Sequence, residues 1–128
     1  MMDMLKARHH PGLTGRRVLL VEDDYFVADV LCQELESAGA EVVGPASDVA
    51  AALALVEAEP AIGGAVLDVH LGDEMVWPVA DALLARGVPV VFATGYDTRV
   101  IPARYAGVGR CEKPVEPALI ARALALAR

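Results

Sequence analysis

Polar residues stand at the ends of four short apolar runs in the sequence. The runs end in EDD at residues 22–24, in Asp68, in ATG at residues 93–95 and in EKP at residues 112–114. An isolated acid in such a place is ordinarily a loop or helix-capping residue, and TG or KP alone is ordinary turn chemistry. Their joint occurrence at four run ends favours a functional site instead.

The acidic residues among them suit a divalent cation and phosphoryl chemistry. Brought together, Glu22, Asp23 and Asp68 would repel one another unless a cation intervened. An oxygen-lined site with few protein ligands and room for water suits Mg²⁺. With the ammonium of Lys113 and the hydroxyl of Thr94 beside it, Asp68 could act as a nucleophile that accepts a phosphoryl group.

Length, composition and charge exclude several classes of protein. The chain of 128 residues suits one domain, and its 55% hydrophobic content excludes a disordered chain. A net charge of −7 argues against a nucleic-acid surface. No apolar run approaches the length of a membrane span, and residues 1–15 lack the apolar core of a signal peptide. We therefore expect a cytoplasmic protein with no nucleic-acid or membrane partner, in which Cys32 and Cys111 are small buried residues.

The elements that must position the polar residues alternate along the chain. Strand-like runs and runs of helical period follow one another from residue 16 onwards, five of each. The strands are predicted at residues 16–22, 40–44, 63–68, 88–94 and 108–113, and the helices at residues 24–39, 47–60, 74–87, 99–107 and 115–127. The helix over 99–107 is short and weak because it contains Pro102, and Pro78 is tolerable only in a first turn.

This alternation predicts an α/β fold with a doubly wound, five-stranded parallel sheet and helices on both faces. The flavodoxin-like strand order 2-1-3-4-5 puts ligands outside the carboxyl ends of the strands, at the switch between strands 1 and 3. The polar residues fall at that edge. We expect residues 1–15 to form a flexible extension and residues 16–128 to form a single domain with no output domain.

The motifs resemble those of the receiver domain of two-component response regulators. The segments VLLVEDD (18–24), AVLDVHLGDE (65–74), VVFATGY (90–96) and EKPV (112–115) match its motifs within residues 17–127. The resemblance implies the flavodoxin-like (CheY-like) sheet and makes Asp68 the phosphoacceptor.

The same resemblance implies a metal site and two phosphoryl-binding residues. Glu22 and Asp23 would be the acidic pair, and Asp23, Asp68 and the backbone carbonyl of His70 would bind Mg²⁺. Thr94 would be the switch hydroxyl. Lys113 would contact the phosphoryl group and would precede a cis peptide bond to Pro114.

The segment PVVFATGY at residues 89–96 also resembles the signature of the FATGUY subgroup, mostly single-domain regulators of alphaproteobacteria, some of which serve general stress signalling. The family implies phosphoryl transfer to Asp68 from a histidine kinase or histidine phosphotransfer protein, followed by a surface change that a downstream protein partner reads. Such a domain catalyses only its own phosphorylation and dephosphorylation. A monomer or a phosphorylation-dependent dimer is expected.

One position departs from the family pattern. Arg110 stands where typical receivers carry Tyr or Phe, three residues before the lysine. The usual coupling of the switch hydroxyl to a rotating aromatic ring therefore cannot operate as such. We hypothesise that Thr94, residues 95–97 and a short fourth helix move instead, and that Tyr96 reaches over the pocket and excludes water.

Two other functions stay open at this point. The protein could be a phosphate shuttle or sink in a phosphorelay. It could also be a metal-dependent phosphohydrolase with an aspartyl intermediate, in which His70 would transfer protons. Trp77 either packs in the core or anchors a docking surface.

Overall fold

The computed structural model describes residues 10–95, 100–113 and 115–126, through which strands and helices alternate. In chain order the elements are β1 (Arg17–Val21), α1 (Tyr25–Ser37), β2 (Glu41–Ala46), α2 (Val49–Ala58), β3 (Gly64–Asp68), β4 (His70–Leu71), β5 (Glu74–Met75), α3 (Trp77–Ala85), β6 (Val90–Thr94), a 3₁₀ turn (Ala103–Tyr105), β7 (Gly109–Glu112) and α4 (Pro117–Leu126).

Five of the strands form one parallel sheet in the order β2-β1-β3-β6-β7. This order confirms the predicted flavodoxin-like arrangement 2-1-3-4-5. Every residue of β3 and β6 is buried, because helices cover both faces of the central strands. The register places Asp68 opposite Ala93, so the carboxyl ends of β3 and β6 lie at the same edge of the sheet.

Two apolar clusters fill the two faces of the sheet. Successive residues of a strand point to opposite faces, and neighbouring positions therefore divide between the clusters. Leu67 and Phe92 belong to the cluster under α2 and α3. Val66 and Val91 belong to the cluster under α1 and α4. The sheet is thus covered on both sides, as the continuous apolar runs predicted.

Aspartate side chains cap the N-termini of two of the helices. Asp24 accepts hydrogen bonds from the backbone N–H groups of Phe26 and Val27, at 2.9 and 3.1 Å, and so caps α1. Asp48 caps α2 by accepting a bond from the N–H of Ala51 at 2.7 Å. These bonds satisfy donors that the first turn of a helix leaves without partners.

Arg86, the C-cap residue of α3, ties this helix to the end of α2. Its guanidinium donates hydrogen bonds to the backbone carbonyls of Val56, Glu59 and Pro60. Carbonyls at the end of a helix lack intrahelical donors. One side chain therefore joins the ends of two neighbouring helices.

The predicted helix over residues 74–87 begins later than expected. Glu74 and Met75 pair in antiparallel fashion with Leu71 and His70, so the chain forms a small hairpin before α3 begins at Trp77. The hairpin turns at Gly72, whose φ of +61° suits a residue without Cβ. Pro78 lies in the first turn of α3, as predicted.

The predicted helix over residues 99–107 is wrong. Within the described part of this range, helical structure is limited to Val100, which has 3₁₀ conformation, and to one 3₁₀ turn, Ala103–Tyr105. Pro102 has extended backbone angles, φ −58° and ψ 149°, and its ring removes a helical donor. The described residues therefore contain four α-helices instead of five.

Residues 1–9 of the expected flexible extension lie outside the described residues, whereas residues 10–15 pack against the domain. Leu13 is 0% exposed and belongs to the cluster under α1 and α4. The backbone N–H of His10 donates to Ala38 and that of Gly15 donates to Gly39. Residues 10–15 are therefore part of the packed domain.

No helix in the described ranges has both the length and the apolar character to cross a membrane. Both cysteines are free thiols. Cys111 is buried, as predicted, whereas Cys32 is only half-buried. Burial raises the pKa of both thiols.

Candidate functional site

The three acids predicted to form a site lie together at the carboxyl ends of β1 and β3. Carboxylate oxygens of Glu22, Asp23 and Asp68 all lie within 4.8 Å of one another. The register explains the convergence, because Val21 is paired with Leu67 and the chains leave the sheet side by side. Glu22 and Asp68 are buried, whereas Asp23 is exposed.

Lys113 reaches this cluster from the end of β7. Its Nζ lies 2.6 Å from Oε1 of Glu22 and 3.3 Å from Oδ2 of Asp68. Its backbone N–H donates to the carbonyl of Thr94 at 3.0 Å. Thr94 is the last residue of β6 and is buried. The structure therefore brings together the lysine and the acids, with the threonine at the adjacent strand end.

The surroundings of Asp68 disfavour its charged form. Burial, followed by the hydrogen bond and the negative charge of Glu22, raises the pKa of Asp68 to about 7, and Lys113 opposes the shift. Burial acts to lower the pKa of Lys113, but Glu22 and Asp68 outweigh it, so the lysine is held in its charged form. The site thus contains a protonated lysine, Lys113, that is shared between the carboxylates of Glu22 and Asp68.

The hairpin of β4 and β5 holds the exposed acid. The backbone N–H of Gly72 donates to Oδ2 of Asp23 at 2.8 Å. Burial acts to raise the pKa of Asp23, but this bond and those to its acidic neighbours outweigh burial, and the pKa is lowered. Sequence reasoning missed this contact. Gly72, in the segment LGDE, could have indicated it, since glycine favours a tight turn and such a turn exposes backbone N–H donors.

An open cavity of about 480 Å³ contains these groups. His70 lines it two residues after the end of β3. The lining residues are Glu22, Asp23, Asp24, Val27, Asp68, His70, Gly72 and Lys113.

The donor set of this cavity fits a hard divalent cation. Three carboxylates offer oxygen ligands, and the cavity has room for water molecules. Mg²⁺ prefers such a site, with one or two carboxylates and several waters, over a closed protein cage.

A cluster of three aromatic rings packs on the same face of the sheet as Phe92. Trp77 stacks on Tyr105 with ring centroids 5.2 Å apart, and both rings make T-shaped contacts with Phe92, with centroid distances of 5.6 and 5.4 Å. Trp77, which is partly buried, therefore packs against the core cluster under α2 and α3. Sequence reasoning missed Tyr105, because its partners are far away along the chain.

Two positions with expected roles, Tyr96 and Pro114, lie outside the described residues. Arg110 is exposed on β7, where it pairs in register with Phe92.

The comparisons with known proteins give likenesses among solved structures. No protein-family model and no curated protein matches the chain. The solution structure of SdrG from Sphingomonas melonis Fr1 is 39% identical, with a TM-score of 0.76, and the match covers 92% of this chain and 98% of that one. The BeF3-activated conformation of SdrG, given as from Pseudomonas melonis Fr1, is 40% identical, with a TM-score of 0.70 and coverage of 86% and 93%.

Two further structures share the fold at lower identity. The signal receiver domain of a modulated diguanylate cyclase from Desulfovibrio desulfuricans G20 is 27% identical, with a TM-score of 0.77 and coverage of 88% of this chain and 93% of that one. The response regulator PhyR from Brucella abortus is 28% identical, with a TM-score of 0.75 and coverage of 90% and 48%.

The doubly wound sheet, the acidic cluster at its carboxyl edge and these likenesses define one class of signalling domain. The chain belongs to the receiver domains of response regulators.

Proposed function

We propose that the protein accepts a phosphoryl group on Asp68 from the phosphohistidine of a histidine kinase or phosphotransfer protein, in a Mg²⁺-dependent reaction. One observation carries the proposal. The carboxylate of Asp68 ends a buried strand within 3.3 Å of the ammonium of Lys113 and beside the carboxylates of Glu22 and Asp23. A nucleophile, a fixed positive charge and a set of cation ligands therefore share one cavity.

The transfer step assigns a role to each of these groups. A carboxylate oxygen of Asp68 forms a bond to phosphorus while the nitrogen–phosphorus bond of the donor breaks. The electron pair leaves with the imidazole, which then takes up a proton. Lys113 and the hydroxyl of Thr94 would stabilise the charge on the phosphoryl oxygens as it develops.

Asp23, Asp68 and the backbone carbonyl of His70 would hold Mg²⁺, with Glu22 as the second acid of the pair. When bound, the cation would screen the carboxylates from one another and bind a phosphoryl oxygen. Asp23 is already oriented by the N–H of Gly72, which leaves less to rearrange when a cation binds.

The output of the domain would be a protein–protein contact. Phosphorylation adds about −1.5 to −2 charge to the site, and a downstream protein would read the resulting change of surface. The likeness to SdrG, which has been solved in a BeF3-activated conformation, supports this view. Membership of the FATGUY subgroup, assigned by PVVFATGY, is part of the same proposal.

Intact-mass measurement after incubation with acetyl phosphate tests the proposal. We expect the protein to gain one phosphoryl group in the presence of Mg²⁺ and none in the presence of a chelator. Asp68→Asn should gain none under either condition, because an amide is not a nucleophile for this step.

Asp24→Asn is a matched control for that experiment. Asp24 lines the same cavity but caps α1, and Asn caps a helix about as well as Asp. It should be phosphorylated like the wild type. Phosphorylation of Asp68→Asn would overturn the assignment, and repeated turnover of p-nitrophenyl phosphate would favour the phosphohydrolase.

A further inference from the structure

Residues 100–106 form the connection that replaces a full helix between β6 and β7. The backbone hydrogen bonds recorded within this segment are local, such as those from Tyr105 to Pro102 and from Ala106 to Ala103. In the described part of the chain, its recorded hydrogen bonds to another helix or strand come from the side chains of Arg104 and Tyr105. Ile101 and Tyr105 of the segment are buried in the cluster under α2 and α3.

Tyr105 joins the segment to α3 by both packing and hydrogen bonding. Its ring is 1% exposed, and its hydroxyl donates to Oδ1 of Asp81 on α3 and lies 3.3 Å from the carbonyl of Trp77. Burial and the bond to Asp81 raise the pKa of Tyr105 to about 12, so the phenol remains a donor at neutral pH. Arg104 covers the ring, 4.5 Å from its centroid, and donates to Tyr105 and to Asp81.

The same ring also contacts the strand that leads to the candidate phosphorylation site. The ring of Tyr105 makes a T-shaped contact with Phe92, and Phe92 stands two residues before Thr94 on β6. Residues two apart on a strand share a face of the sheet. Because Thr94 is buried and interiors are closely packed, a displacement of Thr94 alters the packing of this face.

We propose that Tyr105 and Asp81 form a latch that holds residues 100–106 against α3 while Asp68 is unphosphorylated and releases them when Asp68 is phosphorylated. The inference rests on the proposed function. Arg110 stands on β7 where typical receivers carry Tyr or Phe. In the proposed latch, Tyr105, which lies outside the sheet, is the aromatic residue that links the site to the surface.

Reciprocity makes the latch measurable. If the latch is closed only in the unphosphorylated state, it opposes every ligand that favours the phosphorylated state. Removing the latch must then tighten the binding of such a ligand by the factor by which that ligand weakens the latch. A residue that merely stabilised the fold would have the opposite effect or none, since a looser protein does not bind more tightly.

Titration with beryllofluoride in Mg²⁺, followed by tryptophan emission, tests the latch. Trp77 is the single tryptophan of the chain, and it stacks on Tyr105. We expect its emission to change in the wild type. In Tyr105→Phe, which keeps the ring and loses the hydroxyl, the change should fall by at least half and the beryllofluoride affinity should rise roughly three- to tenfold.

Two further variants complete the experiment. Tyr25→Phe makes the same substitution at an exposed position of α1 and should behave like the wild type. Asp81→Ala removes the acceptor at an exposed position and should raise the affinity as Tyr105→Phe does.

The outcomes separate the latch from the proposed function. Unchanged emission in a protein that acetyl phosphate demonstrably phosphorylates overturns the latch and leaves the proposed function standing. Unchanged or weaker beryllofluoride binding by both latch variants also overturns it. A protein that acetyl phosphate does not phosphorylate overturns both.

Discussion

Lys113 balances two acids at once, and this makes the site sensitive to the charge of each. Its ammonium lies closer to Glu22 than to Asp68, at 2.6 Å against 3.3 Å. Glu22 is almost completely buried, and a buried acid depends on its partner. Asp68 therefore receives only part of the compensation that its burial requires, which explains why its pKa is raised despite the neighbouring lysine.

Replacing Asp68 should stabilise the metal-free protein at alkaline pH. Because its pKa is about 7 in the folded protein and 3.8 ordinarily, the folded state holds a proton that the unfolded chain releases. The contribution of Asp68 to the free energy of unfolding is therefore complete below pH 3.8 and is lost as the pH rises through 7. With a chelator present, we expect Asp68→Asn to exceed the wild type by about 1–3 kcal/mol at pH 8 and to match it near pH 4.

Urea unfolding at the two pH values measures this difference. Asp24→Asn, at an exposed helix cap, provides the control and should follow the wild type at both. Equal free energies of unfolding for Asp68→Asn and the wild type at pH 8 would contradict the raised pKa.

Among the elements, the hairpin of β4 and β5 connects the acidic cavity to the start of α2. Gly72 at its turn donates to Asp23, while the carboxylate of Glu74 accepts a hydrogen bond of 3.4 Å from the N–H of Val49 at the start of α2. The position of a proposed metal ligand therefore depends on the conformation of a four-residue turn.

Gly72→Ala should weaken Mg²⁺ binding more than it weakens the fold. A side chain at a φ of +61° costs about 1 kcal/mol, and relief of this strain would move the N–H that holds Asp23. We expect a several-fold loss of Mg²⁺ affinity, measured by titration, together with a loss of about 1 kcal/mol in unfolding.

Gly87→Ala is the matched control. Gly87 has a φ of +71°, and a Cβ there would likewise meet nothing within 4 Å. It follows α3, outside the residues that line the acidic cavity. It should lose similar stability and keep its Mg²⁺ affinity, and an equal loss of affinity in both variants would refute the role of the Gly72 turn.

The sequence predicted the elements whose pattern is long and regular. The buried strands β3 and β6 are continuous apolar runs, and the polar residues at the ends of β1, β3, β6 and β7 are the acids, the threonine and the lysine. The hairpin was missed because a two-residue strand is too short for a periodic pattern. The bond from Tyr105 to Asp81 was missed because it joins residues 24 positions apart, and side-chain partners at that distance leave no local signal.

At the scale of the whole molecule, residues 10–15, which precede β1, pack against the core under α1 and α4. Leu13 is fully buried there, and a Cβ on Gly12 would come within 3.1 Å of Ala121 on α4. The polar composition of residues 1–15 concealed this packing, since one buried leucine does not alter the average.

Leu13→Ala should destabilise the protein by about 2–4 kcal/mol, the usual cost of removing a buried leucine side chain. Urea unfolding measures it. Val30→Ala, at a half-exposed position of α1, should change stability by no more than about 0.5 kcal/mol. A small effect of Leu13→Ala would show that residues 10–15 contribute little to the folded domain.

The hydrogen bonds of the Arg86 guanidinium stiffen one side of the molecule, where α2 and α3 lie. By tying the end of α3 to the end of α2, it makes those two helices one flank that resists deformation. The turn at residues 103–105 borders the same flank but is braced by one tyrosine and one arginine. If the proposed latch opens, a shift at the end of β6 would therefore be taken up by residues 103–105, while Arg86 keeps the ends of α2 and α3 joined.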